Sequence, residues 1–165
     1  MRRIAIASLA EIQAAPDLFN FSLAAGRAAF ADNCAPCHGS GGGGAKGFPN
    51  LADDDWLWDG DIAAIHQTIS SGVRNANTEA RAGAMPRFGA DGLLTQTQIG
   101  DVAEFVASLS QREAPRYAAA ARRGAQLFVE NCAACHGDRG AGNQELGAAN
   151  LSDGIWLYGG DRATL

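Results

Sequence analysis

The sequence contains one short stretch twice. NCAPCHG at 33–39 returns as NCAACHG at 131–137, and the four cysteines of the chain all lie in these two copies. A stretch repeated with its reactive residues at the same spacing indicates a duplicated unit. A chain of 165 residues with 47% hydrophobic content suits one or two small globular units.

Each copy has the pattern Cys-x-x-Cys-His, for which four interpretations compete. A four-thiolate zinc site does not need a histidine after each second cysteine, and the two pairs lie almost 100 residues apart. A thioredoxin-like redox pair needs a strand–turn–helix setting rich in β-branched residues, which this sequence lacks. Two structural disulfides leave both histidines unexplained.

The fourth interpretation, attachment of a c-type haem, accounts for every residue type of the motif. Both thiols add to the vinyl groups of the haem, and the adjacent histidine binds the iron from the same turn. Two residues between the thiols match the reach between the two vinyl groups. We therefore predict two haem c groups, attached through Cys34 and Cys37 and through Cys132 and Cys135, with His38 and His136 as proximal iron ligands.

The repeat extends well beyond the motif. Gly26 and Phe30 recur 98 positions later as Gly124 and Phe128. The segment NLADDDWLWDGD at 50–61 recurs 100 positions later as NLSDGIWLYGGD, so the second copy has gained two residues in the loop after its motif. A glycine and a phenylalanine four apart share one face of a helix, which predicts close packing of that face.

The segments between the motifs predict helices and loops. Alanine-rich stretches lead into both motifs, with Pro16 upstream of the first as a boundary residue. The glycine-rich stretch after the first motif predicts a loop, and DIAAIHQTISSGV predicts a short helix ending at Gly72. Thr95 and Gln98 form a capping-box pattern before apolar residues at helical spacing. The chain is therefore expected to be all-α.

Charge and hydropathy exclude some classes of function. The net charge of −5 and the isoelectric point of about 5.0 argue against a nucleic-acid partner, because such proteins cluster Lys and Arg against phosphates. No apolar run approaches the roughly 18 residues that a membrane span needs. The apolar run IAIASLA near the start is broken by Glu11, too early for a secretory signal.

With these features, each repeat resembles a class I cytochrome c domain. That resemblance implies tandem cytochrome c domains, in each of which a C-terminal helix packs across the helix leading into the motif. The expected division is a linker at 1–19 after a missing N-terminal region, a first domain at 20–111 and an incomplete second domain at 112–165. It also implies a methionine as the second axial ligand of each iron.

Met85, in GAMPRFG, is the methionine expected to bind the first iron, and Pro86 stiffens the loop that presents it. The equivalent residue of the second copy would fall near position 185, so the second haem is expected to lack this ligand in the chain as given. Trp56 and Trp156 recur in the repeat and are expected to pack beside the haems, lowering the local dielectric. For Arg74 two interpretations stay open, a partner for a haem propionate and a solvated side chain.

The amino-acid sequence of both repeats is similar to that of a narrower family, the dihaem subunit III of the cbb3-type cytochrome c oxidases. NCAPCHGSGGGGAKGFPNLADDDWLWDGD and MPRFGADGLLT carry the likeness in the first copy, and NCAACHGDRGAGN and ANLSDGIWLYGGD carry it in the second. The resemblance implies electron transfer to the haem–copper catalytic subunit in aerobic respiration, beside a monohaem subunit, with a donor cytochrome or the cytochrome bc1 complex upstream.

The same resemblance implies a location at the periplasmic face of the bacterial inner membrane, held there by an N-terminal helix that precedes Met1. The protein itself would then be a non-catalytic electron-transfer subunit. Three other functions remain open from the sequence: a soluble periplasmic dihaem carrier, an enzyme like the dihaem cytochrome c peroxidases, and a ligand-sensing haem module. The enzyme would need an open or displaceable ligand at one iron, and the sensor would need an open site.

Overall fold

The computed structural model describes residues 6–110 and 117–165. All regular elements in these ranges are helices, accompanied by three isolated β-bridges, so the expected all-α class is confirmed. The predicted domain boundary between residues 111 and 112 lies outside the described ranges, as do the first five residues of the predicted linker. Within the described ranges, no helix has both the length and the apolar character needed to cross a membrane.

Seven helices follow one another along the described chain. They are α1 (Leu9–Ala14), α2 (Pro16–Asn33), α3 (Ala35–His38), α4 (Ile62–Ser71), α5 (Gln96–Leu109), α6 (Ala118–Asn131) and α7 (Ala133–His136). The segments between α3 and α4 and between α4 and α5 are loops, as the glycine-rich composition of the first one predicts.

Three helices begin where the sequence carries a start signal. Pro16 is the first residue of α2, a position where its missing N–H costs nothing. Thr95 caps α5 in the predicted capping box: its hydroxyl accepts from the Gln98 N–H, and the Gln98 side chain accepts from the Thr95 N–H at 2.9 Å. Ser8 and Glu11 cap α1 in the same way, and this short helix was not predicted.

The most extensive helix packing among the described residues is that of α5 on α6. Gly124 faces the backbone of α5 so closely that a Cβ built there would overlap the Asp101 carbonyl oxygen. Phe128 is fully buried beside this crossing, and its ring centroid lies 5.2 Å from that of Phe105. A glycine that admits the neighbouring backbone and a phenylalanine that fills the adjacent space thus form one packing site.

Two acidic residues of α5 are buried and bind arginines. The carboxylate of Asp101, 5% exposed, accepts two hydrogen bonds from Arg123 of α6, at 2.7 Å from Nε and 2.6 Å from Nη2. Glu104 binds Arg162 with a separation of 2.8 Å. A planar guanidinium meeting a carboxylate through two parallel bonds fixes direction as well as charge, so Arg123 also sets the orientation of α5 on α6.

The described residues divide into two compact units. The first comprises the described chain up to Asp54 with Asp61–Ala63, and the second comprises Asp55–Gly60 and the described chain from Ala64 to Leu165. The resemblance implied that the C-terminal helix of the first domain packs across the helix before the first motif. In the structure α5 belongs to the second unit, where it packs on α6, because Gly124 and Phe128 provide a complete crossing site.

The helix α2, in the first unit, carries the same pair of residues in a more open setting. A Cβ built at Gly26 would meet no heavy atom within 4 Å, and Phe30 is half-buried. The two residues line a groove of about 530 Å³ together with Leu23 and Ala31.

Candidate functional site

Each Cys-x-x-Cys-His motif forms a single helical turn directly after a long helix. Cys34 caps the end of α2, and its carbonyl accepts from the Cys37 N–H at 3.1 Å and from the His38 N–H at 2.9 Å. In the second copy, Cys132 accepts from Cys135 and His136 at the same two distances. The turn therefore presents two thiols and one imidazole from five consecutive residues in both copies.

A glycine after each histidine lets the chain leave this turn. Gly39 has φ +81° and Gly137 has φ +74°, values that an L side chain rarely adopts. The chain then folds back, and the N–H groups of Gly44 and Gly142 each donate to the carbonyl of the motif histidine at 2.8 Å. The glycine-rich composition of these loops is thus a consequence of how sharply they turn around the histidines.

Both motif histidines are held by a backbone carbonyl of the loop that follows. Nδ1 of His38 lies 2.9 Å from the Pro49 oxygen, and Nδ1 of His136 lies 2.8 Å from the Ala149 oxygen. A carbonyl only accepts, so the proton of each neutral ring is on Nδ1 and Nε2 carries the lone pair. Each ring is therefore fixed in orientation with Nε2 ready to bind a metal ion.

The four thiols are free rather than joined in disulfides. Burial raises the pKa of the Cys132 thiol, and the charge of Cys135 raises it further. Within the described ranges, which include all four cysteines, no three or more His, Cys, Asp or Glu side chains are grouped so as to hold a metal ion.

Met85 lies in the loop between α4 and α5 and is 68% exposed. It belongs to the second unit, as does the second motif, whereas Cys34, Cys37 and His38 belong to the first. Its assignment to the first iron stays a prediction.

The repeated tryptophans occupy the same local turn in both copies. The Trp56 ring lies against Gly60 and the Trp156 ring against Gly160, each so closely that a Cβ on the glycine would overlap the indole. The pattern Trp-x-x-x-Gly is thus a structural unit, because only glycine leaves room for the ring. Both tryptophans are half-buried, and their place beside a haem stays a prediction.

Arg74 is exposed and has the unusual backbone angle φ +50°, held where its N–H donates to the Arg81 carbonyl at 2.7 Å. Both interpretations of its side chain remain predictions. The sequence reasoning missed Trp58, whose ring lies under the Arg81 guanidinium at 5.5 Å and against Gly147. The sequence signal for Trp58 is that both copies of the repeat have an aromatic residue at this position, where Trp58 matches Tyr158.

Comparisons with known proteins give one consistent result. The family model described as cytochrome c oxidase, cbb3-type, subunit III matches residues 21–106 and 119–159. The cbb3-type cytochrome c oxidase subunit FixP of Azorhizobium caulinodans is 55% identical over 163 residues, which cover 99% of this chain and 55% of the relative.

Two further relatives agree. Subunit CcoP of the cbb3-type oxidase of Cereibacter sphaeroides is 54% identical, with 95% of this chain and 54% of the relative covered. The FixP subunit of Bradyrhizobium diazoefficiens is 53% identical, with coverages of 100% and 57%. The chain thus spans about half the length of the curated relatives that it matches.

Proposed function

The chain belongs to the family of subunit III of the cbb3-type cytochrome c oxidases, and we propose that it transfers electrons through two covalently attached haem c groups. Membership of this cytochrome c family implies covalently bound haem c. We propose in addition the number of haems, the residues that bind them and the direction in which electrons are transferred. The observation that carries it is the hydrogen bond from Nδ1 of each motif histidine to a loop carbonyl.

The residues present fit such a group in both copies. Covalent attachment needs two unpaired thiols on one turn, and the structure provides Cys34 with Cys37 and Cys132 with Cys135. Iron binding needs an imidazole nitrogen with a free lone pair, and the tautomer set by Pro49 or Ala149 leaves Nε2 in that state. The same donor set in both units supports two haems rather than one.

The other assigned residues tune these sites. We propose that Met85, together with His38, would hold the first iron, and that its thioether would favour a raised potential. We propose that Trp56 and Trp156 each exclude water beside a haem, and that Arg74 is placed to meet a propionate. When bound, haem c supplies one-electron chemistry between ferrous and ferric iron.

The histidines and their loops contribute rigidity to electron transfer. A ring that is clamped through Nδ1 is held in one orientation, and the clamp also raises the basicity of Nε2, the nitrogen that would hold the iron. The loop carbonyl belongs to a tight turn stabilised by its own backbone bonds, such as Gly44 to His38 and Gly142 to His136, both 2.8 Å. The residues around a bound haem would then need little rearrangement between the ferrous and ferric states.

The partners follow from the family. The relatives are named as subunits of cbb3-type cytochrome c oxidases, and we propose that this chain also works as a subunit of such an oxidase. We propose that it passes electrons to the haem–copper catalytic subunit, beside a monohaem subunit, and that it receives them from a donor cytochrome or the cytochrome bc1 complex. The matching location is the periplasmic face of the bacterial inner membrane.

Haem stoichiometry tests this proposal directly. The chain is produced in a host that attaches c-type haem, and the covalent haem per chain is measured by intact mass and by absorbance. Wild type is expected to carry two haems, and the double variants Cys34→Ala/Cys37→Ala and Cys132→Ala/Cys135→Ala one each. A double variant that still carries two haems, or a wild type that carries fewer than two, would refute the proposal.

A further inference from the structure

The two copies close the loop after the motif in different ways. In the first copy Ala45 and Phe48 pair through two backbone bonds of 3.0 and 2.8 Å, with two residues between them. In the second copy Asn143 and Ala148 pair through two bonds of 2.9 Å, with the four residues 144–147 between them. The two extra residues of the second copy therefore lie in the tip 144–147, which only Ala148 separates from Ala149, whose carbonyl holds His136.

This longer tip contacts the tryptophan segment of the first repeat at both of its ends. At its start, Nε2 of Gln144 donates to the Trp56 carbonyl at 2.7 Å. At its end, Gly147 lies against the Trp58 indole so closely that a Cβ there would overlap three ring atoms. All of these residues belong to the second compact unit. The tip is thus held by Trp56 and Trp58 as well as by the backbone pair of Asn143 and Ala148.

Trp58 is itself fixed by residues of α4 and of the segment that follows it. The Arg81 guanidinium lies 5.5 Å from the centre of its ring, a cation–π arrangement. Arg81 is in turn anchored on α4, where it donates to the Ala64 carbonyl at 3.3 Å and to the Thr68 hydroxyl at 3.4 Å. A Cβ on Gly83 would overlap both the Trp58 ring and the Leu146 carbonyl, so this side is closely packed too.

We propose that Trp58 is a positioning residue for His136. It holds the tip 144–147, the tip fixes Ala148 and Ala149, and the Ala149 carbonyl orients the histidine ring at 2.8 Å. The proposal rests on the proposed function, in which His136 binds iron. The first copy has a shorter loop, in which the Phe48 ring lies edge-on to His38 at 6.1 Å. Tyr158, the repeat counterpart of Trp58, is 62% exposed.

The expected effect follows from the chemistry of the clamp. A carbonyl that accepts from Nδ1 makes Nε2 a stronger donor, which favours ferric iron. If Trp58→Ala frees the tip, the hydrogen bond between Nδ1 of His136 and the Ala149 carbonyl weakens. The ferrous form of the second haem then becomes more stable relative to the ferric form. At the midpoint potential of wild type, the ratio of ferrous to ferric second haem is expected to rise about threefold, the scale of one weakened hydrogen bond.

The experiment uses the haem-loaded full chain and two readouts. Spectroelectrochemical titration gives the potential of each haem, with the second haem assigned by its absence from Cys132→Ala/Cys135→Ala. Amide hydrogen exchange at Asn143 and Ala148 reports whether the tip has loosened. Trp58→Ala is expected to speed exchange at Asn143 and Ala148 and to shift the potential of the second haem alone. Trp58→Phe keeps an aromatic ring against Gly147, so its exchange rates and second-haem potential are expected to stay close to those of wild type. Gln144→Ala removes the other contact and is expected to give a smaller shift in the same direction.

Tyr158→Ala is the matched control, since it removes the equivalent aromatic ring of the other repeat. The inference is overturned if Trp58→Ala leaves the second potential unchanged, or if Tyr158→Ala shifts it equally. Failure of the proposed function looks different: no haem is attached at the second motif, while the exchange rates at Asn143 and Ala148 still show whether Trp58 holds the tip.

Discussion

Gly124 of α6 lies directly against the backbone carbonyl of Asp101 on α5, and no side chain fits between them. The repeat places Gly26 at the equivalent position of α2, where a Cβ would meet no heavy atom within 4 Å. The two glycines are therefore the same residue type in two different packing environments, which makes their substitution informative.

Gly124→Ala is expected to lower the free energy of unfolding by about 1–3 kcal/mol, because the new methyl group forces α5 away from α6. Gly26→Ala is the matched control. It adds a methyl group in open space within a helix and is expected to raise stability by up to about 1 kcal/mol. Urea unfolding followed by circular dichroism measures both. Equal effects of the two variants would show that the α5–α6 crossing does not hold in solution.

Asp101→Asn is expected to lower the urea midpoint, because the carboxylate is buried and accepts both hydrogen bonds of the Arg123 fork. The comparison is Asp91→Asn, which removes the partner of Arg87 in an exposed pair of 2.7 Å. Exposed pairs contribute at most about 1 kcal/mol, so this second variant is expected to change little. A larger effect at Asp91 than at Asp101 would contradict the packing described.

Met85→Ala is expected to lower the potential of the first haem and to let it bind carbon monoxide, since a thioether ligand raises the potential and fills the sixth position. Spectroelectrochemistry and the carbon monoxide difference spectrum measure these changes, with Cys34→Ala/Cys37→Ala identifying the first haem. A change confined to the second haem would show that Met85 binds the iron held by His136 instead. No change at either haem would remove Met85 from the ligand set.

The cap of α1 is expected to depend on pH. Hydrogen bonds from the Ser8 backbone and hydroxyl lower the pKa of Glu11 below its ordinary value. A lowered pKa in the folded state means that the cap is fully formed above the ordinary Glu pKa and is lost as the pH falls through the lowered one. The protection of the Glu11 amide, which is its exchange rate relative to the intrinsic rate at the same pH, measures the loss. Ser8→Ala is the control, and a protection of the Glu11 amide that does not change with pH in wild type would refute the cap.

Much of the helical structure could be predicted because its signals are local. Thr95 and Gln98 are three residues apart and start α5 as the capping-box pattern predicts. The helix ending near Gly72 is found as α4, Ile62–Ser71. By contrast α1 was missed, although Ser8 and Glu11 carry the same pattern, because a six-residue helix offers too few turns for apolar periodicity to be seen.

The candidate site was predictable in its residues but not in its geometry. Cys-x-x-Cys-His identifies the thiols and the histidine, because they share one helical turn. The carbonyls that hold the histidines lie 11 and 13 residues further on, at Pro49 and Ala149. Every residue has a carbonyl, so no sequence pattern marks these two.

The sequence by itself determined the duplicated turn, the loop glycines with positive φ and the starts of α1, α2 and α5, because each depends on residues within a few positions of one another. Only the tertiary structure decided that α5 covers α6 and that Trp58 meets Gly147. The physical reason is that helix faces with similar side chains can each accept a distant partner, and local sequence does not show which face is covered. Gly26 with Phe30 and Gly124 with Phe128 present the same pattern, and their surroundings, including the Arg123 fork to Asp101, distinguish them.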